Sequence, residues 1–265
     1  VILSAADTDL LMISAARQRQ EADNAPTLRL ANLMNLSHNM SVDLYVSDII
    51  SKAKFVIVRL LGGVNYWQYG IEQVVECCRA ANIPLAILPG DDQPDAELTG
   101  LSLQSTEACH RLWQYFVQGG PGNADSLLNY VSSLLGTETD WREPAPLLRA
   151  GIYWPAAGSI DLGELQEKWI DGAPIVAITF YRALFQAGNL DPVDQMIQSL
   201  RDRGLNPLPV FVASLKEAVS TETVNAIFDQ ATPDIILNST GFSVSKPNGE
   251  RADSPLEKPD VPVIQ

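Results

Sequence analysis

The sequence predicts an α/β protein made of two doubly wound parallel-sheet subdomains with a helical insert between them. Three observations carry this expectation. Apolar runs of strand length alternate with longer amphipathic segments over residues 1–90, and again over 149–240. Buried parallel strands read as continuous apolar runs of this kind. Between the two stretches the pattern is helical, and a polar, proline-bearing segment closes it.

In order, VILSAA (1–6) is a strand and residues 7–20 a helix. TLRLANL (27–33) is the next strand and 42–53 the next helix. FVIVRLL (55–61) leads into a helix begun at Tyr66 and ending near Asn82, and PLAILPG (84–90) is the fourth strand. This βαβαβαβ order, with right-handed crossovers, gives a doubly wound sheet. In the insert (91–135), Ser105 and Thr106 are caps for EACHRLWQYFVQ, which the glycines 119–120 stop; a second helix covers 124–135. GTETDWREPAP (136–146) lies in a linker spanning 136–148.

The second subdomain (149–265) repeats the grammar. RAGIYWP (149–155), PIVAITFY (174–181), LPVFVAS (208–214) and PDIILNST (233–240) are strands. Residues 162–169, 191–204 and 221–230 are helices. The second of these has Asp191 as N-cap and Pro192 at its first position; the third is capped by Ser220 or Thr221. Residues 243–260, polar with three prolines, form a loop, and DVPVIQ reads as a last strand. The chain opens inside a strand without an initiating Met and closes on a strand with nothing after it, so a segment of a longer polypeptide is expected.

Composition bounds the function. At 46% hydrophobic and 19% charged residues, the 265-residue chain is an ordinary globular protein. No apolar run is long enough to span a bilayer. A net charge of -14 argues against nucleic acid as the main partner. Three cysteines, Cys77, Cys78 and Cys109, make no disulfide framework and point to the cytoplasm; vicinal Cys77 and Cys78 read as structural. There is no P-loop, no dinucleotide fingerprint and no G-x-S-x-G elbow. His38 and His110 belong to no ligand-spaced cluster. No catalytic or metal-binding residue is assigned on these patterns.

The positive signals lie at strand ends, where open α/β sheets bind ligands. Arg59 sits inside an apolar run and needs an anion, either a ligand's or an internal acid such as Glu72. Two glycines, then Asn65, Tyr66, Trp67 and Tyr69, follow it. Tyr181 and Arg182 end the strand AITFYR. Ser214 and Lys216 leave FVASLK, and Asn238 and Ser239 end the last strand before Gly241 and Phe242. Singly, each reads as a cap or turn. Together they suit a large, flat, polyanionic ligand between the subdomains, and equally a plain interdomain interface.

The sequence GGVNYWQYGIEQ (62–73), preceded by VRLLGG, resembles the cobaltochelatase large-subunit (CobN) family, relatives of the magnesium chelatase H subunit. ADTDL (6–10), TFYRA with AGN (179–189), GLNPLPVFVASLK (204–216) and PDIILNSTGFS (233–243) agree with it in order. The resemblance covers nearly the whole chain. It implies the N-terminal, tetrapyrrole-binding part of an ATP-dependent chelatase that inserts Co2+ into hydrogenobyrinic acid a,c-diamide in cobalamin biosynthesis. Partner subunits, one an AAA+ ATPase, would use ATP and Mg2+, which fits the missing P-loop. Metal-insertion residues would lie downstream of Gln265, so this segment alone is expected to bind no cofactor and to be inactive. Arg59, Arg182 and Lys216 would pair with the macrocycle's carboxylates, and Tyr66, Trp67 and Tyr181 would cover its face. The alternatives are a non-catalytic interaction segment of such a subunit, and a magnesium-branch subunit acting on protoporphyrin IX.

Overall fold

A computed structural model describes residues 1–20, 27–241 and 254–265. The chain divides into two compact units, Val1–Leu147 with Gln186–Gly188, and Leu148–Phe185 with Asn189–Gln265.

The first unit is built on four parallel strands: β1 (Ile2–Ser4), β2 (Leu30–Asn32), β3 (Val56–Leu60) and β4 (Leu85–Pro89), in the order β2-β1-β3-β4. Between them run α1 (Asp7–Arg19), α2 (Asn39–Asp48) and α3 (Gln68–Ala80), followed by α4 (Ala96–Gly100), α5 (Thr106–Gln118) and α6 (Pro121–Leu134). The period-2 alternation of the strands sorts two cores. Ile2, Ile57, Ala86 and Leu88 face α1, α5 and α6, while Leu3, Val56, Val58, Leu85 and Ile87 face α2 and α3. Both faces are covered, as the continuous apolar runs require.

Ser105 caps α5 as expected, its Oγ accepting from the Ala108 N–H at 3.2 Å, and Gly119 ends the helix. Helix α2 begins three residues earlier than expected and stops at Asp48; Ile50–Lys52 continues as a 3-10 turn. Residues 136–147 carry no helix or strand, yet they are fixed to α5 and α6. Arg111 donates to both Glu143 oxygens at 2.8 and 2.9 Å and lies over the Tyr130 and Trp141 rings. Asn123 exchanges hydrogen bonds with the Ala145 backbone.

The second unit holds a six-stranded sheet in the order β10-β9-β7-β8-β5-β6. Its strands are β5 (Ala150–Trp154), β6 (Gly158–Ile160), β7 (Ile175–Tyr181), β8 (Asn206–Val212), β9 (Ile235–Asn238) and β10 (Val263–Ile264). Helices α7 (Leu162–Gln166), α8 (Arg182–Ala187), α9 (Asp191–Arg201) and α10 (Ala218–Ala231) connect them. β7, β8, β9 and β10 are parallel. β5 departs from the expected parallel pattern: it pairs antiparallel with β8 and with β6. A three-residue connection allows only a hairpin between β5 and β6, whereas a parallel pair needs a long crossover.

One core packs on α10 through Ala177, Val210, Val224 and Phe228. On the other face, the rings of Tyr153, Phe180, Phe185 and Phe211 meet edge-on or tilted, with centroids 5.2–6.5 Å apart. Two cap expectations are corrected. Asp191 is inside the first turn of α9, whose N-cap is Leu190, because Pro192 tolerates any first-turn position. Helix α10 starts at Ala218 with Glu217 as N-cap, and Ser220 donates its hydroxyl to the Glu217 carboxylate at 2.8 Å. Of the loop expected over 243–260, residues 243–253 lie outside the described residues.

Candidate strand-end sites

In an open α/β sheet the ligand crevice lies beyond the carboxyl ends of the strands, where the strand order reverses. The first sheet reverses between β1 and β3, the second between β7 and β9. Each reversal carries residues that the sequence singled out.

In the first unit, Ser4 and Arg59 are register partners on adjacent parallel strands, so their side chains share a face. Arg59 is turned inward and 7% exposed. Its Nη1 donates to Asp9 Oδ1 at 2.5 Å, its Nε to the Pro89 carbonyl at 3.2 Å, and its guanidinium lies 5.2 Å from the Phe116 ring centre. Ser4 Oγ donates to the other Asp9 oxygen at 2.6 Å. The internal acid is therefore Asp9, in the first turn of α1. Glu72 is on α3 and accepts from Gln68 instead.

The chain then turns through Gly62 (φ 90°) and Gly63 (φ 76°), conformations that strain any residue with a Cβ. A 3-10 turn, Val64–Tyr66, carries Asn65 and Tyr66 on its exposed side. Trp67 is not on that side. It is buried, donates Nε1–H to the Leu36 carbonyl at 2.9 Å, and lies flat against Gly70, where an added Cβ would come within 2.0 Å of the ring. Tyr69 donates its hydroxyl to Asp43 at 2.7 Å, which holds that phenol above its ordinary range. The YW-x-YG motif is thus largely scaffold: Trp67 and Gly70 fit each other and Tyr69 ties α3 to α2. What stays open is an apolar rim of Leu61 (54% exposed), Tyr66 (49%) and Met34 (60%), with the Tyr66 hydroxyl 3.0 Å from Met34 Sδ. Sequence reading missed Leu61 and Met34; an apolar residue next to a strand-end glycine pair was the available signal.

In the second unit, Thr179 and Asn238 are register partners across β7 and β9. Asn238 is buried and bonded at both ends of its amide. Its Oδ1 accepts from Thr179 Oγ1 (2.8 Å), Thr240 Oγ1 (2.6 Å) and the Thr240 N–H (3.1 Å), and its Nδ2 donates to the Thr240 carbonyl (3.2 Å). Ser239 donates its hydroxyl to the Thr179 carbonyl, and the Tyr181 hydroxyl accepts from the Gly241 N–H at 3.1 Å. Arg182 is 7% exposed and its Nε donates to the Leu148 carbonyl at 2.9 Å. Ser214 closes a turn by accepting from the Lys216 N–H, and Lys216 itself is exposed. Phe242 lies outside the described residues. Beside this edge Arg149 holds Glu217 at 2.8 Å; that hydrogen bond, with the Ser220 hydroxyl and the nearby Arg182 charge, keeps the carboxyl below its ordinary range.

Other chemistry is sparse. Cys78 is buried, and burial pushes its thiol up to about 12, so it stays protonated and unreactive. Among the described residues, no group of three or more His, Cys, Asp and Glu side chains is placed to hold a metal ion. No helix among them is long and apolar enough to cross a membrane.

The CobN/Magnesium Chelatase family model matches residues 113–265. The aerobic cobaltochelatase subunit CobN of Sinorhizobium sp is 44% identical over the whole chain. The chain belongs to the CobN/magnesium chelatase family. The Pseudomonas aeruginosa CobN is 38% identical, again over the whole chain. The chloroplastic magnesium-chelatase subunit ChlH of Oryza sativa subsp. japonica is 26% identical over 68% of this chain, a match that covers 14% of that relative. The catalytic subunit of cobaltochelatase from Mycobacterium tuberculosis superposes with a TM-score of 0.72 at 26% identity, over all of this chain and 21% of that one. The chain likewise spans 21% of the length of the two CobN relatives. Family membership and the α/β architecture expected from the sequence both hold. The strand-end glycines, Trp67 and Gly70 are explained as parts of this family member's fold.

Proposed function

We propose that this chain supplies a tetrapyrrole-contacting part of the large subunit of an ATP-dependent cobaltochelatase, the N-terminal part as the motifs suggest. The observation that carries the reading is the open rim at the end of β3. A glycine pair and a 3-10 turn hold Leu61, Asn65 and Tyr66 toward solvent in a chain 44% identical to a cobaltochelatase subunit. A flat macrocycle is recognised by aromatic and aliphatic faces, with polar groups fixing its orientation. Arg59 and Trp67 act on the macrocycle only indirectly, by fixing the strand end and the loop that follows it. Co2+ is a substrate of the whole machine, and ATP hydrolysis belongs to AAA+ partner subunits; this chain has no P-loop with which to do it.

The test is a fluorescence titration with hydrogenobyrinic acid a,c-diamide, with protoporphyrin IX as the magnesium-branch comparison. Tyr66→Ala is expected to weaken binding of the diamide about tenfold, without loss of stability. Unchanged affinity in this variant would remove the assignment.

A further inference from the structure

At the opposite edge of the first sheet, where the strands begin, there is a cavity of about 450 Å³. It is formed within the first unit by the starts of β1, β2 and β3, the 3-10 turn Ile50–Lys52, and α6. Its wall is apolar, with Phe55 and Ile57 from the sheet side, Leu128 and Val131 from α6, and Leu135 at the end of that helix. Arg29, Lys52 and Lys54 line it as well, against one acid, Asp48. All three cations are exposed, and none forms an ion pair among the described residues. Three cations without an ion pair among the described residues, gathered at one apolar cavity, stand out in a chain of net charge -14.

We propose that this cavity is a binding site for a small apolar carboxylate, its hydrocarbon body against Ile57, Leu128 and Val131 and its anionic head toward Lys52, Lys54 and Arg29. The volume is within the roughly 300–1,000 Å³ of small-molecule pockets, and an apolar wall with a few polar groups to fix orientation is their usual construction. The charge asymmetry selects the head group: an apolar amine would meet three like charges, and a neutral alcohol would gain nothing from them. The site is at the other edge of the sheet from Tyr66 and does not rest on the tetrapyrrole reading.

Decanoate is the probe and 1-decanol its uncharged control, followed by titration calorimetry and by methyl NMR shifts of Ile57 and Leu135. One saturable decanoate site is expected, with both methyl groups shifting. The double variant Lys52→Glu/Lys54→Glu, confined to the surface, is expected to weaken decanoate about tenfold while leaving decanol unchanged. Val131→Trp, which fills the cavity, should abolish binding of both. Absence of a saturable site in folded protein would overturn the proposal. So would decanoate binding that neither variant changes, or that shifts neither methyl group.

Discussion

The two sheet reversals solve one problem in different ways. Each must hold polar side chains where strands end and the chain turns. In the first unit the solution is a charged pair: Arg59 and Asp9 meet at 2.5 Å with side chains 8% and 9% exposed, and Ser4 completes the carboxylate's bonds. In the second it is a neutral web, in which Asn238 links Thr179 and Thr240. A buried pair fails when one charge is removed, because the other is left uncompensated. A neutral web gives way by parts. The difference shows that a strand-end arginine in an apolar run is not by itself a ligand contact; its role is set by which acid the register brings to it.

The largest expected effect follows directly. Arg59→Ala should destabilise the first unit by about 3–5 kcal/mol, measured by denaturant melts, and Arg59→Met with Asp9→Leu should recover much of it. A loss under about 1 kcal/mol would show that the pair is not what holds the β1 and β3 ends together. Next is Gly70→Ala, whose Cβ would intrude on the Trp67 ring; about 1–3 kcal/mol is expected, with a shifted tryptophan emission. In the second unit Thr179→Val removes one of three donors to Asn238 and should cost only about 1 kcal/mol. A cost as large as that of Arg59→Ala would erase the contrast.

The smallest effect is in acid. Glu217 has a folded pKa below the ordinary 4.5, so its contribution is complete above that value and is lost as pH falls from 4.5 through the lowered value. Glu217→Gln should flatten this part of the stability–pH curve by less than about 1 kcal/mol, since the pair with Arg149 is partly exposed. An unchanged curve would place the acid sensitivity elsewhere.

The sheets were legible in the sequence because buried parallel strands are apolar throughout: FVIV, PLAIL and PIVAITF admit little else. β6 and α8 were not legible. GSI is three residues long and half polar, and RALFQA follows a strand without a break to announce a new helix. The strand-end residues were located correctly but not their orientation. That Arg59 meets Asp9, fifty positions away, depends on the β1–β3 register, and that Trp67 turns inward depends on a side chain Gly70 lacks. The first fact has no local sequence signal; the second has one, the glycine three residues after Trp67. Tyr66, beside Trp67 and chemically alike, is the one left exposed.

That distinction between neighbours can be tested in one measurement. Backbone hydrogen exchange of the protein is followed with and without hydrogenobyrinic acid a,c-diamide. Added protection is expected over Leu61–Tyr66, the open rim at the end of β3, with little change at β1 and β3 themselves, whose backbone groups are already paired. Saturable binding with no protection in that loop would contradict contact at the rim, and so would protection spread evenly over the first unit.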